Sequence, residues 1–114
     1  LQWCRAHAEL EADRRVAAYV KRRDGACVAC GDRKPWVLEW AHVLGRRYKR
    51  IRWMPAAAVA LCTEDHRYLD THPNEKRAFF RERFPGLLEE LDRLKDQAPA
   101  PDVAAIITLY RGPA

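Results

Sequence analysis

Five residues that bind metals or move protons lie close together in the chain, at spacings that suit metal chemistry. Cys27 and Cys30 are two residues apart, His42 follows after eleven more, Cys62 after nineteen and His66 after three. A C-x2-C knuckle closed by a later cysteine and one more donor at the start of a helix is how a small domain staples two distant segments around zinc. A second C-x2-C would put cysteine at position 65. The chain has Asp65 there, and a carboxylate oxygen also binds zinc, so Cys27, Cys30, Cys62 and Asp65 form the expected structural zinc set, with His66 as the substitute fourth ligand. Buried free thiols are the other reading of the same cysteines. A thiol–disulfide oxidoreductase fits poorly, because no strand-to-helix pattern surrounds Cys27 and Cys30.

The elements around these residues follow from periodicity and turn chemistry. Between Gln2 and Arg23, Ala6, Leu10, Ala17 and Val20 recur among charges, which predicts one or two amphipathic helices ended by Asp24-Gly25. Trp36 to Trp40 is aromatic and β-branched between turn residues and predicts a strand, with Trp36 and Trp40 in the core. Residues 45–57 have no clear period and predict a functional loop, and Ala58 to Leu61 a second strand pairing with the first. Thr63 is the expected cap of a helix running to about Thr71, and Asn74 the cap of the next, which Pro85-Gly86 breaks. Leu87, Leu88, Leu91 and Leu94 form a helical stripe of plain core. Residues 98–101 predict a stiff linker before a final helix with Val103, Ile106, Ile107 and Tyr110.

Composition limits what such a chain does. At 114 residues it is one domain, read as an N-terminal helical segment (1–23), a core (24–73) and C-terminal helices (74–114). Its 48% hydrophobic and 32% charged residues are ordinary for a folded protein. No apolar run reaches a bilayer span, so no membrane partner is expected. The first residues are too charged for a signal peptide, so a cytoplasmic protein is expected. A first residue of Leu1 points to an N-terminus trimmed from a longer chain. The net charge is +5, and most of the cations are arginine, the side chain that best grips phosphate. Five cations, Arg46, Arg47, Lys49, Arg50 and Arg52, fall within seven residues, interleaved with Tyr48 and followed by Trp53. Such a tract suits phosphate contacts with little sequence preference.

Taken in order, the series Arg23-Asp24-Gly25, Cys27-Val28-Ala29-Cys30-Gly31, Leu38-Glu39-Trp40-Ala41-His42-Val43, Arg46-Arg47-Tyr48, Arg52-Trp53-Met54-Pro55 and Leu61 to Tyr68, ending in His72-Pro73, resembles the HNH endonuclease family. The resemblance covers about residues 22–85. It implies an α+β fold: a small ββα-metal, treble-clef-like core with a two-stranded hairpin and zinc knuckle, flanked by N- and C-terminal helices. It also implies a metal-dependent DNA endonuclease that hydrolyses phosphodiester bonds, nicking one strand per site. Members of that family are common in phages and mobile or restriction elements, so the resemblance also implies a bacterial or phage-infected cell as the source.

In that family His42 corresponds to the general base, and histidine suits the task because its ordinary pKa of about 6.5 leaves it largely neutral near pH 7. His66 corresponds to the ligand of a catalytic Mg²⁺, Mn²⁺ or similar ion. Asp70 lies four residues on and shares its helix face, so both can bind one cation, and His72 is a third donor. The chain departs from the family twice. Ala56-Ala57-Ala58 stands where an Asn orients the base, and Ala41 stands where an Asp or His often binds metal. Strand alternation puts Glu39 out of step with Ala41's neighbours, so it is not expected to replace the ligand missing at Ala41. A second reading follows from those departures: a catalytically weak or inactive zinc-stabilised DNA-binding module, monomeric or dimeric.

Overall fold

The structure is a computed structural model that describes residues 4–111. Gln2 and Trp3, included in the expected first helix, lie outside the described residues. The chain forms one continuous helix α1 (Arg5–Asp24), then β1 (Leu38–His42), β2 (Ala58–Cys62), α2 (Thr63–Asp70), α3 (Pro73–Arg83), α4 (Leu87–Gln97) and α5 (Val103–Leu109). The fold is α+β, with a two-stranded antiparallel sheet and five helices among the described residues. None of the helices is long and apolar enough to cross a membrane.

Helix α1 has no Gly or Pro before Gly25, which ends it at φ 67° while Lys21, Arg22 and Arg23 complement the carbonyl end of its dipole. Its buried face differs from the expected one. Ala12, Val16 and Val20 point inward with Asp13, whereas Ala6 and Leu10 are exposed. The helix packs across both strands and α5.

The two strands pair with Leu38 opposite Cys62, Trp40 opposite Ala60 and His42 opposite Ala58. An isolated two-stranded hairpin is marginal in water, and this one is covered on both faces. On one side Val59 and Leu61 meet Leu69, Phe80, Leu88 and Leu91, while on the other Ala58 and Trp53 meet α1. The leucine stripe of α4 is core, as its period indicates. The outer edge of β2 is also satisfied. Arg23 donates to the carbonyls of Pro55 and Ala58, both at 2.8 Å, Ala60 N donates to Asp24 at 2.8 Å, and Val28 N donates to Ala60 O at 3.0 Å.

Several local expectations give way to tertiary structure. Trp36 is not in the strand or the core. It sits in a single 3-10 turn (Pro35–Val37) and is 78% exposed. Cys62 rather than Thr63 caps α2, because its sulfur accepts from Asp65 N, and His72 rather than Asn74 precedes α3, because Pro73 opens that helix. The 45–57 loop closes in a second 3-10 turn (Pro55–Ala57).

Phe80 is the largest fully buried side chain, joining α3 to the sheet. Phe80→Ala is expected to cost about 3–5 kcal/mol in a urea titration. A loss below about 1 kcal/mol would place α3 outside the cooperative core.

Candidate metal and phosphate sites

The knuckle forms because Gly31, at φ 84°, lets the chain double back, with Gly31 N donating to Cys27 O and Cys27 N to Asp32 O, both at 2.8 Å. This turn brings Cys27 and Cys30 against the β2–α2 junction. There the ligand atoms of Cys27, Cys30, Cys62 and Asp65 all lie within 4.8 Å of one another, a cluster that can hold a metal ion. Cys30 Sγ and Cys62 Sγ are 3.8 Å apart, and Asp65 Oδ2 is 3.3 Å from the sulfurs of both Cys27 and Cys62. Tetrahedral zinc with sulfurs at about 2.3 Å separates them by about 3.8 Å, so the donor set and its spacing suit a structural metal such as zinc. Burial pushes the Cys62 thiol up to about 12. A nearby cation is therefore what would turn it into the thiolate that binds metal. His66, the substitute ligand, lies outside this cluster.

A second group of polar side chains lines a cleft of about 470 Å³ formed by Trp40, His42, Leu44, Gly45, Arg46, His66, Asp70 and Lys76. His42, at the end of β1, is only 8% exposed. Its ring lies against Trp40 with centroids 4.1 Å apart, and its Nε2 is 3.0 Å from the carbonyl oxygen of Arg52. A carbonyl only accepts, so Nε2 carries the hydrogen and Nδ1 keeps its lone pair. No protein group among the described residues engages Nδ1. Burial, the dominant cause, lowers the His42 pKa to about 4, with Arg46 and Arg52 adding to the effect.

Across the cleft, His66 Nε2 is 3.2 Å from Asp70 Oδ2 on the same face of α2, and Lys76 holds the other Asp70 oxygen at 2.7 Å. Glu39, which the sequence reading set aside, is part of this group. Its Oε1 is 2.8 Å from His66 Nδ1, and its Oε2 accepts from Thr63 Oγ1 at 3.2 Å. Strand register was the available signal: Glu39 pairs with Leu61, so it sits two residues from the start of α2. His72 is not in the cleft. Its Nδ1 donates to Tyr68 O at 2.6 Å, and its ring stacks on Tyr68.

The basic tract is divided between cleft and scaffold. Arg46 borders the cleft with its side chain 58% exposed, and Arg47 is exposed beside Tyr48. Arg46 also pairs with Asp13 at 2.7 Å, and the other three cations are tied to the scaffold, Lys49 and Arg50 at the surface and Arg52 within it. Lys49 pairs with Glu9 at 3.2 Å, Arg50 donates to Ala98 O at 2.6 Å, and Arg52 turns inward onto Asp13 at 2.6 Å.

No protein-family model, curated protein or solved structure matches the chain.

The His42 environment has a measurable consequence. A depressed folded pKa means that the unfolded chain binds more protons between about pH 4 and 6.5, so this group's contribution to stability is complete above pH 6.5 and is lost as pH falls toward 4. Side-chain ¹⁵N NMR should show His42 neutral down to about pH 4, whereas a midpoint near 6.5 would contradict its burial.

Proposed function

We propose that the protein is an HNH-type, metal-dependent DNA endonuclease with a zinc-braced ββα-metal core, in which His42 is the general base and His66 with Asp70 holds a divalent cation. The observation that carries this reading is the shared cleft. An imidazole with a free Nδ1 opens onto the same space as a second imidazole paired with a carboxylate, with an exposed arginine at the rim. Those are the groups that hydrolysis of a phosphodiester requires.

His42 works from a fixed tautomer. With Nε2–H held by the Arg52 carbonyl, Nδ1 is the atom that takes a proton from the attacking water. Its low proton affinity keeps it unprotonated at neutral pH, and an arriving phosphate diester raises that affinity by placing negative charge beside the ring. Arg46 meets a non-bridging phosphate oxygen, and Arg47 a neighbouring phosphate of the same strand.

His66 Nε2 and Asp70 Oδ2, 3.2 Å apart, would hold Mg²⁺, Mn²⁺ or a similar ion. The chemistry such an ion would supply there is polarisation of the phosphate and stabilisation of the leaving 3′ oxygen. Glu39 orients this ligand: by accepting from Nδ1–H it leaves Nε2 as the lone-pair donor facing Asp70, as a carboxylate does behind a metal-binding histidine. Ala57 bears on the second reading, because it stands near the position of the family's Asn and offers no side-chain amide to His42.

Supercoiled-plasmid cleavage tests the proposal. Wild type is expected to nick with Mg²⁺, Mn²⁺ or Ni²⁺ and not with EDTA, His42→Ala to lose nicking while still binding DNA, and Glu39→Gln to need about 10- to 100-fold more cation. Salt-sensitive DNA binding with no nicking under any metal would overturn the nuclease reading and leave the binding module.

A further inference from the structure

We infer that Asp13, in the middle of α1, is a positioning residue for His42, acting through the peptide between Arg52 and Trp53. The inference rests on the reading of His42 as the base. It goes beyond that reading in placing part of the site's machinery on a helix outside the metal-binding core.

Asp13 is the only acidic side chain that is buried among the described residues, at 8% exposure on the face of α1 that packs against the sheet. A carboxylate taken out of water on an apolar face is costly unless it is fully hydrogen-bonded. Here it is. Oδ1 accepts from Trp53 Nε1 at 2.8 Å and Arg52 Nε at 3.1 Å, and Oδ2 accepts from a guanidinium nitrogen of Arg52 at 2.6 Å and one of Arg46 at 2.7 Å. All these donors come from the 45–57 loop.

The consequence lies in which peptide they bracket. Arg52 and Trp53 are consecutive, and both side chains close on the same carboxylate, so the peptide linking them is held from each side. Its oxygen, Arg52 O, is the sole hydrogen-bond partner of the His42 ring among the described residues. Among the described residues no side-chain amide, hydroxyl or carboxylate hydrogen-bonds that ring, and the nearby Ala57 and Ala58 have none to offer. The direction of the imidazole therefore depends on a loop carbonyl, and the direction of that carbonyl on Asp13. The same carboxylate holds Arg46 at the cleft rim, so base and phosphate contact share one anchor.

Asp13→Asn tests this, because it keeps the shape and removes the charge and an acceptor. The variant is expected to fold, as judged by circular dichroism and core methyl signals. Wild type is expected to show a single Nε2–H tautomer and a slowly exchanging ring proton for His42 in ¹⁵N NMR, and the variant is expected to lose both. Nicking kcat is expected to fall on the order of 10- to 100-fold, with KM for DNA moving less. Asp24→Asn is the control: it removes the charge and one acceptor from a different carboxylate on the same helix, the one bound by Ala60 N and Arg23, and should leave the His42 signals as in wild type. A folded Asp13→Asn whose His42 tautomer and kcat match wild type overturns the inference. If Asp13→Asn does not fold, Trp53→Phe removes one donor and keeps the ring. The same His42 changes, smaller in size, then support the inference, and an unchanged His42 overturns it. If wild type does not cleave DNA at all, the nuclease reading fails on its own, and the NMR comparison still decides whether Asp13 sets the ring.

Discussion

Three sulfurs and a carboxylate oxygen packed within 4.8 Å of one another are the constraint on which the rest of the structure depends. Four such groups repel one another when ionised, and burial drives the Cys62 thiol toward its neutral form. A divalent cation resolves both difficulties at once. The cluster also sits at the mechanical joint of the fold. Cys62 ends β2 and caps α2, so the atom that would bind metal also sets where the helix starts. His66 and Asp70 ride on that helix, and Glu39 reaches it from the paired strand. The knuckle contributes a further tie through Val28 N to Ala60 O. A hairpin of two five-residue strands does not hold such a site by its own pairing. The proposed zinc and the flanking helices supply the rest.

The long helix α1 is more than a cover over a small core. Its end satisfies the free edge of β2 through Arg23 and Asp24, and its middle supplies the buried carboxylate that orders the 45–57 loop. A loop of that length with five cations would otherwise repel itself and sample many conformations. Arg52 turns inward and Lys49 and Arg50 are tied to Glu9 and Ala98, so the proposed phosphate contact falls to Arg46, which Asp13 holds at the cleft rim, and Arg47. This pairing also explains how a chain of modest net charge keeps an ordered basic segment beside a cleft.

Some of this was legible in the sequence because it is local. The C-x2-C-Gly knuckle, the strand ending in His42, the apolar Ala58 to Leu61 run and the leucine stripe of α4 each carry their own signal, and the element order followed from them. Cys62 and Asp65 were placed by spacing alone, three residues apart at a helix start, where both reach the same point. Other features depend on partners far along the chain. Asp13 looks like any surface acid of a charged helix until Arg46, Arg52 and Trp53 arrive from more than thirty residues away. Glu39 required the strand register, and the inward turn of Arg52 required the position of α1. Trp36 carries a strand signal of aromatic and β-branched neighbours, but Pro35, with its fixed φ, opens a 3-10 turn there instead. His72 was drawn away from the cleft by the carbonyl of Tyr68.

X-ray absorption at the zinc edge of the purified protein tests the central claim most directly, since it reads the identity and distances of the atoms around the metal. The expected result is one zinc per chain with three sulfur scatterers at about 2.3 Å and one oxygen at about 2.0–2.2 Å. A folded protein without bound metal, or a zinc surrounded only by nitrogen and oxygen, would contradict it.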